Sequence, residues 1–79
     1  MVYLVKNTLN GCPIVKKGAR GNITKLLQEK LVSLGYNTNG VDGIFGSATD
    51  NAVRLFQKSK GLVVDGIVGK NTWRKILNI

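Results

Sequence analysis

The sequence predicts an all-α fold: a compact three-helix bundle built from a duplicated helix–loop unit, with a non-helical N-terminal lead-in. Two segments of the 79-residue chain carry apolar residues at the three- and four-residue spacing of one helix face. A loop motif, V-D-G-I-x-G, occurs twice, and each copy precedes a predicted helix. A glycine followed by an apolar residue closes the first two helices, a pattern typical of helix C-termini.

The first predicted helix covers residues 22–34. Its buried face is expected to consist of five apolar residues: Ile23, Leu26, Leu27, Leu31 and Leu34. Gly35 suits the left-handed conformation just past a helix end, and Tyr36 is the apolar residue expected to fold back on the helix.

The second predicted helix covers residues 48–60. Ser47 is expected to be its N-cap, and Asp50 lies in the first turn, where negative charge meets the positive end of the helix dipole. Its buried face is expected to consist of Ala48, Ala52, Val53, Leu55 and Phe56. Gly61 and Leu62 repeat the glycine–apolar helix end.

The third predicted helix is short, covering residues 71–77. Its inward-facing residues are expected to be Trp73, Ile76 and Leu77. Together with the two longer helices it completes the bundle.

The duplicated loop can be explained by the needs of the fold alone. Residues 41–46 recur as residues 64–69, and Asp42 is matched by Asp65, 23 positions later. An Asp-Gly pair favours a tight turn, because Gly accepts positive φ and the Asp side chain bonds the backbone two residues on. Asp42 and Asp65 are therefore expected to be turn residues.

Other residues recur with the loops. Gln28 and Gln57 lie on the helices before the two loops and are expected to bond loop backbone. Thr49 and Thr72 follow the loops and are expected to bond a loop carbonyl. Phe45 and Val68 are expected to anchor the loops in the core.

The composition argues against an enzyme. The chain has no His and a single cysteine, Cys12, so it offers no Ser-His-Asp triad, no Cys-His pair and no zinc site of the usual type. Four acidic residues are too few for a calcium loop or for two facing glycosidase carboxylates once Asp42 and Asp65 are engaged in turns. We expect a binding module with no catalytic residue, no metal and no cofactor.

The charge points to a class of partner. Twelve basic and four acidic residues give a net charge of +8, which favours nucleic acid, an acidic membrane face or an anionic bacterial wall. Lys16, Lys17, Arg20 and Lys25 are candidates for weak attraction to such a partner, or for a solvated surface.

Residues 1–17 are predicted to be an N-terminal strap or linker, and residues 18–79 the domain. Residues 1–5 are short, apolar and β-prone, residues 10–13 form a predicted turn, and residues 16–21 a flexible basic lead-in. Cys12 is expected to be a bystander in that turn. The N-terminus lacks the pattern of a secretory signal, so if the protein works outside the cell we expect either an export signal on a larger parent chain or an unusual export route.

These motifs resemble those of the peptidoglycan-binding domain of bacterial and phage wall hydrolases, which include amidases, lytic enzymes, carboxypeptidases and spore-cortex enzymes. The family pattern begins with L-Q-x-x-L and L-G-Y, which match residues 27–31 and 34–36. It continues with D-G-x-F-G-x-x-T-x-x-A-V-x-x-F-Q, which matches residues 42–57, and G-L-x-x-D-G-x-x-G-x-x-T, which matches residues 61–72. The resemblance covers about residues 18–77.

The resemblance implies a three-helix bundle that binds peptidoglycan without catalysis and targets an attached wall hydrolase to its substrate. It also implies a shallow groove near the loops and helix starts. The candidate ligand-binding residues around the first loop are Tyr36, Asn37, Asn39, Phe45, Ser47, Thr49 and Asp50. Among them Tyr36 is equally explained as the helix stop, whereas Phe45, like Trp73, is interpreted chiefly as core.

Two other functions compete with wall binding. One is a structural or protein-interaction module on the same fold. The other is a basic nucleic-acid-binding helical domain, with Lys70, Arg74 and Lys75 of the third helix as its nearest candidates. The overall expectation is a secreted or wall-associated monomer that binds peptidoglycan, and neither nucleic acid nor membrane.

Overall fold

Three α-helices carry the regular structure of the chain. The computed structural model describes residues 14–78, with α1 at Asn22–Ser33, α2 at Ser47–Ser59 and α3 at Lys70–Leu77. The three predicted helices are confirmed to within one residue at each end. α1 packs against both α2 and α3, and the described residues contain isolated β-bridges rather than strands.

The glycine–apolar pairs close α1 and α2 as predicted. Gly35 has φ 95°, and the N–H of Tyr36 donates to the Leu31 carbonyl at 2.8 Å. Gly61 has φ 70°, and the N–H of Leu62 donates to the Gln57 carbonyl at 2.9 Å. Each bond spans the last helical turn and satisfies a carbonyl that the helix itself leaves unpaired.

The prediction that Ser47 caps α2 is wrong. Ser47 is the first helical residue, and Gly46 is the N-cap, with no side-chain capping bond. Gly69 holds the equivalent position before α3. The loops set the direction in which the chain enters each helix, so no capping hydroxyl is needed at that position.

The predicted buried faces of α1 and α2 are partly wrong, because polar residues occupy some of the inward positions. Ile23, Leu26, Leu34 and Leu55 are exposed, and Leu55 is 52% accessible. The stripe that faces inward on α1 and α2 instead includes buried polar residues, namely Thr24, Gln28, Thr49 and Gln57. The apolar core consists of Val15, Leu27, Leu31, Phe45, Ala52, Val53, Phe56, Val68, Trp73 and Ile76.

An N-terminal arm, residues 15–21, pairs with both duplicated loops. Val15 is buried and exchanges two backbone hydrogen bonds with Val68, at 3.1 and 2.7 Å. Further along, Phe45 N–H donates to the Ala19 carbonyl at 2.9 Å, next to an antiparallel bridge between Arg20 and Ile44. The segment predicted as a flexible lead-in is therefore bonded to the domain.

Several predictions lie outside the described residues. They are the β-prone residues 1–5, the turn at residues 10–13 and the bystander role of Cys12. The boundary between residues 17 and 18 stays a prediction, although Val15 already belongs to the core. Among residues 14–78, no helix is long and apolar enough to cross a membrane.

Candidate functional site

The first loop is held from inside by Gln28 of α1. The Gln28 side-chain carbonyl accepts the Gly43 N–H at 2.7 Å. Its amide nitrogen lies within hydrogen-bond distance of the Asp42 carboxylate (2.9 Å), the Ile44 carbonyl (3.0 Å) and the Thr49 hydroxyl (3.0 Å). One buried amide thus joins α1, the loop and the start of α2.

Gln57 of α2 holds the second loop in the same way. Its side-chain carbonyl accepts the N–H groups of Asp65 (3.1 Å) and Gly66 (3.0 Å). Its amide nitrogen contacts the Asp65 carboxylate (3.0 Å), the Ile67 carbonyl (2.9 Å) and the Thr72 hydroxyl (3.2 Å). The predicted role of both glutamines is confirmed, whereas the two threonines accept from glutamine and show no bond to a loop carbonyl among these contacts.

The two aspartates act as turn residues, as predicted. Asp42 accepts the Ile44 N–H at 3.0 Å, and Asp65 accepts the Ile67 N–H at 2.9 Å. The amide of Gln28, followed by the N–H of Ile44, lowers the pKa of Asp42. The N–H of Ile67 has the largest effect on the pKa of Asp65 and lowers it; partial burial acts in the opposite direction, and the Gln57 amide lowers the pKa further, so that the net shift is downward. Both carboxylates are engaged as charged acceptors.

A small surface depression, the first groove, lies beside the first loop. Its volume is about 200 Å³, and its lining consists of Thr38, Asn39, Asp42, Ile44, Gly46, Ser47, Ala48 and Thr49. Asn39 and Ser47 are exposed on its rim, whereas Thr49 is buried in its floor. The groove therefore offers the neutral polar groups of Asn39 and Ser47 around Ile44, beside the Asp42 carboxylate, which already accepts from Gln28 and from the Ile44 N–H.

The other candidate residues surround this groove without lining it. The Tyr36 hydroxyl lies 2.7 Å from the Ser59 hydroxyl, and its ring packs edge-on against Phe56 at 5.5 Å between centroids. Asn37 is exposed and accepts the Asn39 N–H at 2.8 Å, which helps to hold Asn39 at φ 59°.

Asp50, the remaining candidate, is half-buried and engaged elsewhere. Its carboxylate pairs with Arg54 at 3.2 Å, one turn along α2. Both side chains lie against Gly66, where an added Cβ would meet Asp50 and the Arg54 guanidinium. Asp50 thus faces the second loop and is separated from the first groove's lining.

Phe45 and Thr49 are the two buried members of the candidate set. Each is 1% accessible, because Phe45 anchors the loop in the core and Thr49 bonds Gln28. Both lie beneath the surface of the loop, and a direct contact of either with a ligand stays a prediction. Trp73 is buried in the core, as predicted.

A larger depression, the second groove, lies beside the second loop. It was not predicted from the sequence, because all the candidate residues surround the first loop. Its volume is about 440 Å³, and its lining consists of Gln57, Leu62, Val63, Asp65, Ile67, Gly69, Lys70, Asn71 and Thr72. Most of these residues lie 23 positions after first-groove residues, so the repeat itself was the signal that could have located it.

The part of the chain that the structure describes contains no group of three or more His, Cys, Asp or Glu side chains that could hold a metal ion. The chemistry available at both loops is hydrogen bonding, charge and apolar contact. These are the interactions of a binding surface.

Comparison with known proteins identifies the family. A family model described as "Putative peptidoglycan binding domain" matches residues 20–76. The chain belongs to this family.

Among curated proteins, this peptidoglycan-binding domain is similar to the N-acetylmuramoyl-L-alanine amidase CwlL of Bacillus licheniformis. The two are 40% identical over 68 residues, which is 84% of this chain and 19% of the amidase. The chain therefore spans about a fifth of that relative's length.

Solved structures share the fold. The crystal structure of the SleB N-terminal domain superposes with a TM-score of 0.81 at 38% identity, covering 84% of this chain and 90% of that one. A peptidoglycan-binding protein from Clostridioides difficile, solved in complex with glutamine hydroxamate, gives 0.79 at 48% identity, covering 81% and 40%. An all-α three-helix fold is thereby confirmed.

Proposed function

We propose that this domain binds bacterial peptidoglycan without catalysis and holds an attached wall hydrolase at its substrate. Membership of the peptidoglycan-binding domain family is the observation that carries the proposal. The similar amidase supports the attached hydrolase, since this chain matches only 19% of its length. A wall-associated location outside the cell follows from the same role.

The site that we propose is the first groove and its surroundings. The Gln28 network fixes the loop backbone, so Asn39 and Ser47 hold their positions before a ligand arrives. Preorganised polar groups lose less conformational entropy on binding than mobile ones. Tyr36 and Asn37 extend this surface, and Asp50 contributes only if its pair with Arg54 opens.

The polar rim suits neutral amide and hydroxyl groups of a wall glycan or peptide. Asn39 offers both a donor and an acceptor in its amide, and Ser47 adds a hydroxyl. The exposed Ile44 supplies apolar contact between them. Phe45 and Thr49 act in this proposal by fixing the loop from beneath.

The test is co-sedimentation of the domain with insoluble peptidoglycan that has been stripped of teichoic acid, at low and at high salt. We expect pelleting that survives high salt, because groove contacts are screened much less than surface charge. Asn39→Gly with Ser47→Ala should weaken binding about tenfold, the effect of losing one or two hydrogen bonds. Glycine at position 39 keeps the positive φ that Asn39 adopts.

Asn51→Ala is the matched control, because Asn51 is exposed on α2 and lines neither groove. It should pellet like the unmodified domain. Pelleting that disappears at high salt would mean that the net charge alone binds the wall, and the groove assignment fails. No pelleting in either buffer, or equal affinity for a DNA duplex, would reject wall binding as the function.

A further inference from the structure

The second groove continues into another depression along α3. The neighbouring depression has a volume of about 240 Å³ and is lined by Leu62, Asn71, Arg74 and Lys75. Leu62 and Asn71 line both, so the two form one surface that runs from the second loop along α3. The second groove therefore extends along α3 to Arg74 and Lys75, and with this extension it is much larger than the first groove.

The charged side chains of this surface are nearly all cationic. Lys70, Arg74 and Lys75 are exposed, and none of them forms an ion pair within residues 14–78. The one carboxylate in the lining belongs to Asp65, which already accepts from Gln57 and from the Ile67 N–H. Among the described residues the surface therefore carries a net positive charge, with three cations against one carboxylate.

Helix stability does not explain the position of Lys70. It is the first residue of α3, and the first turn contains no acidic residue. A cation at this end opposes the helix dipole, whereas α2 has the favourable Asp50 in its first turn. Residues that break a local rule without compensation are often functional.

An apolar wall faces these cations. Val63 is 78% accessible and Ile67 36%, and Leu62 packs partly against the core beside them. The loop backbone beneath them is fixed by Gln57. Small aliphatic groups of a ligand would bury this exposed apolar area, while the cations lie at the α3 side.

Comparison of the two repeats shows what distinguishes the second groove. The Gln–Asp–Thr bonds are the same in both loops. The residues that face outward differ at equivalent positions 23 apart: Asn39 corresponds to Leu62, Ser47 to Lys70, Ala48 to Asn71, and Asn51 to Arg74. Apart from the aspartate common to both loops, one framework thus presents neutral side chains in the first repeat and cationic and apolar ones in the second.

We infer that the second groove binds a short peptide segment that has a free carboxylate and small aliphatic side chains. Lys70 and Arg74 pair with the carboxylate, and Leu62, Val63 and Ile67 receive the aliphatic side chains. This inference rests on the proposed function, since alanine-containing wall peptides have this chemistry. The two grooves then recognise different parts of one polymer, a neutral part and an anionic part.

The experiment compares two probes that differ only in charge at one end. One is an N-acetylated tripeptide that ends in two D-alanines with a free carboxylate, and the other is the same peptide as a C-terminal amide. Both are titrated into the complete chain, and binding is followed by backbone amide NMR shifts. We expect the free acid to bind about tenfold more tightly, as a charge-assisted hydrogen bond predicts, with shifts at the second loop and α3.

Variants that carry first-repeat side chains at second-repeat positions test the roles of Lys70 and Arg74. Lys70→Ser with Arg74→Asn gives α3 the side chains found at the equivalent positions of α2, and should reduce the acid–amide ratio to about one. Lys17→Ser with Lys58→Asn removes the same charge from exposed positions outside both grooves, and should keep the ratio. The NMR spectrum of each variant also reports whether it is folded.

The outcomes separate this inference from the proposed function. Equal affinity for acid and amide overturns the inference, as does loss of the ratio in the control variant. Displacement of the acid peptide by glycerol phosphate at equal concentration also overturns it, because simple anion attraction would then suffice. If the domain still pellets with peptidoglycan, wall binding stands and only the second groove fails; absence of pelleting rejects wall binding itself.

Discussion

Gln28 and Gln57 are the residues on which the loop geometry depends most directly. Each is 1% accessible and uses both ends of its amide within the protein. A buried polar group costs free energy unless its hydrogen bonds are made. The same bonds that satisfy the glutamine also satisfy loop N–H and carbonyl groups, so each side chain and its loop stabilise one another.

Replacing Gln57 with leucine should destabilise the domain strongly. The substitution leaves the Asp65 and Gly66 N–H groups without their acceptor, and unsatisfied buried groups cost about 1–3 kcal/mol each. We expect the free energy of unfolding in urea to fall by about 3 kcal/mol. Lys58→Leu, at the exposed neighbouring position, is the control and should change it little. Equal effects at both positions would show that the network contributes nothing specific.

Acid stability should depend on the two loop aspartates. Their pKa values are lower in the folded than in the unfolded chain, so the unfolded chain binds more protons in acid. Their stabilisation is complete above the unfolded pKa of about 4 and is lost as the pH falls through the folded values. Asp42→Asn with Asp65→Asn should therefore flatten the decline of the urea midpoint below about pH 4.

Asparagine keeps an acceptor oxygen at each position but does not titrate. Glu29→Gln removes an exposed carboxylate outside both loops and provides the comparison. An undiminished acid slope in the double asparagine variant would show that these two groups do not link stability to pH.

At the scale of elements, the helix ends were the easiest features to predict and the buried faces the hardest. Gly35 and Gly61 end their helices with a positive φ, a conformation that favours glycine, so the residue type alone predicts the helix end. The bond of Gln28 to the loop backbone was predicted, but the buried faces were chosen by apolar periodicity, which gives no weight to polar residues that bond a distant loop. Leu26 and Leu55, expected on those faces, are therefore exposed, whereas Gln28 and Thr49 are buried.

The N-terminal arm escaped prediction for a related reason. Its pairing partners, Val68 and Phe45, lie far along the chain, and short isolated bridges leave no periodic pattern. The proposed binding surfaces could be predicted only in part. Asn39 and Ser47 line the first groove, which the resemblance implied near this loop, whereas the second groove was overlooked although the repeat implies an equivalent surface; ligand binding at either groove stays a prediction.

The arm should contribute to stability through Val15. Val15 is buried at 3% accessibility and belongs to the core cluster, so truncation to alanine should lower the free energy of unfolding by about 2 kcal/mol. Ile14→Ala is the adjacent control, because Ile14 is 70% accessible. Urea unfolding of the two variants makes the comparison. Similar small losses in both would show that the domain proper begins after the arm.

At the scale of the whole molecule, the chain has a net charge of +8, and its described residues form a body that measures 33 × 27 × 20 Å. Such a charge repels a second copy of the chain. The exposed large apolar residues are spread over residue 14, α1 and its end, α2 and both loops. We therefore predict a monomer in which both grooves are accessible.

Sedimentation velocity should show a single monomeric species at low salt. In about 1 M NaCl, where the screening length is about 3 Å, the monomer should persist if no apolar face drives association. Self-association at high salt alone would mean that charge had masked an interface between copies. Self-association at both salt concentrations would contradict the monomer prediction.

α2 belongs to both repeats, since Thr49 at its start completes the first glutamine network and Gln57 near its end forms the second. The first repeat consists of α1, its loop and α2, and the second consists of α2, its loop and α3, so both repeats depend on α2. Because unfolding of α2 would remove partners from both loops, we expect the two halves to open together. Amide hydrogen exchange in both loops should thus proceed through one shared cooperative unit. The duplicated sequence is then expected to fold as a single unit.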